Sequence, residues 1–193
     1  MAMAISRLAL ALLALAGAGL AGCGGAVTHA PTGARTFGWL GGGPAPVAWT
    51  TAGGRVGGGT LPRPQGYRTQ AGDPGTLSFA RLDAGTIVGY LNATPRQGPE
   101  TLGGWTRFRV DHNAQEGDRD VSLSAAATDV RVGQARISCV SDSYRTSRSG
   151  YRELACLIAR HGTSTVLVGA APPSRWSDQG PVIERAIAGF VAS

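Results

Sequence analysis

The sequence predicts an α+β domain, a largely antiparallel sheet with a mid-chain helix and a C-terminal helix packed on it. Three observations predict it. Paired runs of alternating apolar and polar residues flank short polar turns, once within residues 76–92 and again within 135–160. A third alternating run, 163–171, follows the second pair directly. The last stretch then changes to helical period, with Val182, Ile183, Ala186, Ile187, Phe190 and Val191 on one stripe.

The chain opens on an export signature. Met1 to Arg7 is a short segment with one cation, and Leu8 to Leu20 is an uncharged run of 13 residues. A helix needs about 20 apolar residues to span hydrocarbon, so this run reads as the core of a signal peptide. Leu20-Ala21-Gly22-Cys23 resembles the lipobox of bacterial lipoproteins. The resemblance implies cleavage of residues 1–22, a thioether-linked diacylglycerol on Cys23, and acylation of the new amine by palmitate-type chains. The expected location is extracytoplasmic, lipid-anchored to the cell membrane; two or three chains, at about 0.8 kcal/mol per buried methylene, hold where one does not.

Residues 23–46 are rich in Gly, Ala, Pro and Thr and read as a tether, with Phe37, Trp39 and Leu40 placed to dock on the domain that follows at 47–193. All 18 basic residues are Arg, and the formal net charge is +6. In an exported chain that surplus faces anionic lipid or wall polymer rather than nucleic acid. The stretch Gly53 to Gly59 lacks the spacing and the Lys of a phosphate-binding loop and reads as a plain loop.

Within the domain, Thr76–Leu82 and Thr86–Asn92 pair across Asp83-Ala84-Gly85. Residues 99–112 read as the mid-chain helix, with Leu102, Trp105 and Phe108 or Arg109 on one face, weakened by Gly103-Gly104. Val121–Ala127 is a strand. The strands Ala135–Tyr144 and Tyr151–Arg160, if symmetric about their turn, set Cys139 against Cys156, Ile137 against Ile158 and Tyr144 against Tyr151. Opposed residues bring Cβ atoms to about 4.5–5.5 Å, near disulfide range. With Cys23 assigned to lipid, Cys139 and Cys156 are the even pair expected of an oxidising compartment, two buried free thiols being the alternative. The same register sets Asp142 against Glu153, a repulsion. Pro172-Pro173 ends the last strand, and Ser177 or Asp178 would cap a helix with Pro181 in its first turn.

No G-x-S-x-G, H-E-x-x-H, Walker or C-x-x-C pattern occurs. The densest chemistry is Asp111 to Asp120. It begins like a calcium loop and departs from it at Glu116, where a Gly belongs, and at Ser122, where a Glu belongs. It reads as a solvated helix-to-strand connection, unless His112 converges with two or more of Asp111, Glu116, Asp118 and Asp120 in one cleft. His29 falls in the tether and His161 in a turn. The hairpin tip groups Tyr144, Arg145, Arg148, Tyr151 and Arg152, a set suited to an anionic or sugar-like ligand or to a simple Tyr–Tyr pair. Neither metal nor cofactor is expected.

From Leu61 onward the chain resembles the PsbP-type α/β/α sandwich. The resemblance lies in Leu61-Pro62-Arg63-Pro64-Gln65-Gly66-Tyr67, with Tyr67 where that family usually has Trp, and in Val166–Ala171, Trp176 and the helix from Pro181. That fold hosts accessory and binding proteins more than enzymes and brings no shared catalytic residues. The expected function is a membrane-anchored, non-catalytic binding or accessory module serving an envelope protein or a small ligand. The alternatives are an envelope hydrolase using His112 with the nearby carboxylates, and a carrier of lipid or another hydrophobic ligand.

Overall fold

The computed structural model describes residues 36–193. The lipobox with Cys23, and His29, lie outside the described residues. Among the described residues nine strands and three α-helices follow one another as β1 (Gly54–Val56), β2 (Gly59–Leu61), β3 (Arg68–Gln70), β4 (Leu77–Asp83), β5 (Thr86–Pro95), α2 (Trp105–Gln115), β6 (Arg119–Val132), β7 (Ala135–Arg145), β8 (Gly150–Arg160), β9 (Thr163–Ala171) and α3 (Trp176–Ala192), with the short α1 (Val47–Thr51) ahead of β1. Seven strands form one antiparallel sheet in the order β3-β4-β5-β9-β8-β7-β6, and β1 and β2 form a separate hairpin. Helix α3 covers one face and α2 part of the other, giving the expected antiparallel α+β sandwich.

The α3 face is the main core. Phe79, Leu91, Ile137, Leu154, Ile158 and Leu167 meet Ile183, Ile187 and Phe190 there, all at 2% exposure or less. The disulfide Cys139–Cys156 lies on this face, its two residues directly opposed as the hairpin register predicts. The opposite face holds a smaller cluster in which Trp105 packs on Val140, Ala155 and Leu157, and the Trp105 indole N–H donates to the Ala155 carbonyl at 2.9 Å.

Several expected boundaries move. The end of the predicted tether is packed, not free: Phe37, Leu40 and Ala45 are buried, because the apolar groups of 37–40 dock on α3 in the main core. Gly53–Gly59 is no open loop but most of the β1–β2 hairpin, turning at Gly57 (φ +52°) and Gly58. Gly59 passes so close to Phe190 that a Cβ there would stand 2.7 Å from the ring. The mid-chain helix begins at Trp105 rather than Pro99, since Gly103-Gly104 is a turn whose Gly104 N–H donates to Thr101 Oγ1 at 3.1 Å. The strand expected at Val121–Ala127 extends to 14 residues as β6. It is a sheet edge interrupted by three register shifts, which blunts its pairing with foreign strands. Helix α3 starts at Trp176, so Pro181 lies inside it rather than in its first turn. Pro181 and Ser177, the residue whose carbonyl the proline cannot bond, are both exposed there.

Candidate functional site

At about 1.5 Å per residue the 11 residues of α2 make a helix of about 16 Å, too short to cross a seven-stranded sheet. It lies over β6 and β7 and leaves the same face of β4, β5 and β9 uncovered. The strand registers put Ser78, Tyr90, Asn92, Thr94, Val166 and Val168 on that uncovered face. The result is a groove of about 550 Å³ between α2 and the loop Ala71–Thr76. An adjoining, more apolar lobe of about 240 Å³ reaches Pro95, Trp105, Phe108 and Val166.

The groove floor is a chain of neutral hydrogen-bonding groups. The Asn92 amide donates to Ser78 Oγ at 2.7 Å, the Thr94 hydroxyl donates to Asn92 Oδ1 at 2.7 Å, and the Tyr90 hydroxyl stands 3.4 Å from Ser78 Oγ. The wall is α2, where Trp105, Phe108 and His112 stack in sequence with ring centroids 5.7 and 5.6 Å apart. His112 Nε2 lies 3.1 Å from Glu116 Oε1 one turn further on.

Behind the wall, α2 is fastened to the sheet by a buried polar cluster. Arg109 donates from Nε and Nη2 to the two oxygens of Glu153 at 2.6 and 2.8 Å, and Tyr144 donates to Glu153 Oε2 at 3.2 Å. Burial works against the Arg109 charge, but the Glu153 carboxylate outweighs it and holds the guanidinium above its usual range. Asp142 stands opposite Glu153 as the register requires, fully buried. Asn113 Nδ2 donates to Asp142 Oδ2 at 3.3 Å, while Asp142 Oδ1 and Asn113 Oδ1 have no partner. Burial, followed by the Glu153 charge, pushes the Asp142 carboxyl up to about 7. Burial likewise raises Tyr144.

The convergence that a hydrolase needs does not occur around His112. Of Asp111, Glu116, Asp118 and Asp120, only Glu116 lines the groove with it. Asp111 pairs with Arg107 at 3.5 Å on the exposed side of the helix, and Asp120 stands 3.9 Å from Arg145. Asp118 lies beyond the helix end, its carboxyl raised by burial and then by Glu116. Among the described residues no group of three or more His, Cys, Asp and Glu side chains is placed to hold a metal. No helix among them is long and apolar enough to cross a membrane.

The hairpin-tip set is also divided. Tyr144 and Tyr151 form a cross-strand pair on the α2 face, with centroids 5.9 Å apart. Arg152, on the other face, lies 4.9 Å over the Trp176 ring. Arg145 turns to Asp120, and Arg148 sits exposed in the turn. Of the residues singled out in the sequence as chemistry-bearing, His112 and Glu116 line the groove. Arg109 had a place on the predicted helix face as a candidate packing residue. Ser78, Tyr90, Asn92 and Thr94 carried no motif; their shared face follows only from the strand register.

No protein-family model matches the chain, and no curated protein does. Solved structures do. The chain is similar to the cyanobacterial PsbP protein CyanoP of Synechocystis sp. PCC 6803, with 16% identity, a TM-score of 0.51, and coverage of 69% of this chain and 85% of that one. It is also similar to PA94, a protein of unknown function from Pseudomonas aeruginosa, with 13% identity, a TM-score of 0.48, and coverage of 72% and 94%. The fold is PsbP-like.

Proposed function

We propose that this chain is an exported lipoprotein, held on the membrane through lipid at Cys23, that serves the cell envelope as a non-catalytic binding module with its site in the groove beside α2. The observation that carries the reading is the uncovered half of the sheet: a floor of Ser78, Tyr90, Asn92 and Thr94 beside an aromatic wall. Of the charged side chains that line it, Arg109 is spent on Glu153 and Glu116 contacts the His112 ring, while Asp73 stands at the loop edge. Such a site suits an uncharged ligand that exchanges hydrogen bonds with the floor and places an apolar portion in the lobe at Phe108 and Val166. The space between sheet and α3 is filled by side chains, which argues against a carrier that swallows a lipid on that side.

The anchor and the site have separate tests. Cys23→Ser should move the protein from the membrane fraction to the soluble one; retention would sink the anchor. Lipidated protein purified in mild detergent should carry a small molecule or partner detectable by mass spectrometry, and Asn92→Leu, which breaks the floor's hydrogen-bond chain, should lose it. The same species recovered in equal amount with Asn92→Leu would remove the groove as its site.

A further inference from the structure

The disulfide Cys139–Cys156 fixes the β7–β8 register, and that register fixes Asp142 opposite Glu153. Both carboxyls face α2, and both residues are fully buried. The helix brings one cation to this pair, Arg109, and spends both of its forward-facing N–H groups on Glu153. The second carboxyl therefore has no cation of its own. Its neighbours are Asn113 and Arg109 from α2, Glu153 from β8, Asp118 from the turn after α2, and apolar Leu123 across on β6. Asp142 Oδ1 and Asn113 Oδ1 are both buried acceptors without a donor. The two side chains that meet at Nδ2 and Oδ2 thus each keep an orphan acceptor, and a buried polar group without a partner costs about 1–3 kcal/mol, a charge more.

We infer that Asp142 is a proton-operated latch on α2: with its carboxyl protonated the helix is seated on β7 and β8, and with it ionised the helix loosens and the wall of the groove moves. Ionisation places a second negative charge beside Glu153, with only one guanidinium to share. The position of the Asp142 carboxyl, raised by burial and then by Glu153 against the pull of Arg109, puts this change within the range of an external medium. The consequence for ligand binding rests on the groove being the binding site; the latch itself does not.

Hydrogen exchange of the α2 peptide in the full chain, in mild detergent, reads the latch directly. Protection is expressed against the unstructured rate at each pH. It should fall about tenfold between pH 5.5 and pH 8.5 in the wild type, the equivalent of about 1.4 kcal/mol of local opening. Asp142→Asn, which keeps the shape and removes the charge, should hold its protection constant. Constant protection in the wild type would overturn the latch, and so would an equal fall in Asp142→Asn. The wild-type series needs no variant to fold. A pH-dependent α2 combined with unchanged ligand retention in Asn92→Leu would support the latch while removing the groove as the site.

Discussion

Replacing Arg109 by Met tests whether the polar cluster holds α2 in place. The guanidinium makes two charge-assisted bonds, at 2.6 and 2.8 Å, to a carboxylate whose side chain is wholly buried. Met retains most of the buried stem of Arg, so the main loss is charge and hydrogen bonding rather than volume. Glu153 would keep only the Tyr144 hydroxyl and would still face Asp142. Removing one partner of such a pair costs about 3–5 kcal/mol, because the other charge stays buried without compensation. Removing both is a different matter. Arg109→Met with Glu153→Met substitutes apolar contact for the pair and should recover to within about 1–2 kcal/mol of the wild type. Urea unfolding at pH 6, followed by Trp fluorescence with the disulfide intact, supplies the three differences. A loss below about 1 kcal/mol for Arg109→Met would refute the reasoning, as would a double variant less stable than the single one.

Asp142 has a folded value near 7 against 3.8 for the ordinary group, so the folded state binds its proton more tightly. The stability this lends is complete below about pH 4 and is lost as pH rises through 7, by up to about 4 kcal/mol. Asp142→Asn should therefore gain on the wild type between urea midpoints taken at pH 5 and pH 8; parallel midpoints would show that Asp142 is not the group responsible. Gly169→Ala should cost about 1–3 kcal/mol by overpacking, because a Cβ there would stand 2.3 Å from Ile183 Cγ2 under α3; an unshifted urea midpoint would contradict this. Replacing both Cys139 and Cys156 by Ala, which opens a link of sequence separation 17, should lower stability by about 3 kcal/mol in the chain-entropy model, and equal midpoints would mean that β7 and β8 need no covalent help.

What the sequence disclosed followed from how each element is buried. The β7–β8 hairpin was legible because its residues alternate and because Cys and Tyr pairs are spaced symmetrically about one turn. The β4–β5 hairpin was legible from two alternating runs about Asp83-Ala84-Gly85, and in the structure Ala84 and Gly85 take the positive φ of a two-residue turn. Helix α2 was only half legible. Its buried residues are Trp105, Arg109 and Asn113, one apolar and two polar, and a search for apolar period sees one member of that stripe. The β1–β2 hairpin was missed because glycines give no alternation to read, although Gly59 is required by the approach of Phe190. The groove was out of reach, since its floor comes from β4, β5 and β9 and its wall from α2. Yet one clue to the buried cluster was in plain view. The register that pairs the cysteines also opposes two carboxylates, a conflict no local rule resolves. Where a strongly specified register forces such a conflict, the resolution has to arrive from another element. Here it is Arg109, set on the helix face one turn beyond Trp105. The repulsion between Asp142 and Glu153 was therefore no evidence against the hairpin; it marked where the helix had to deliver its cation, and it is the part of the fold that one cation leaves incompletely settled.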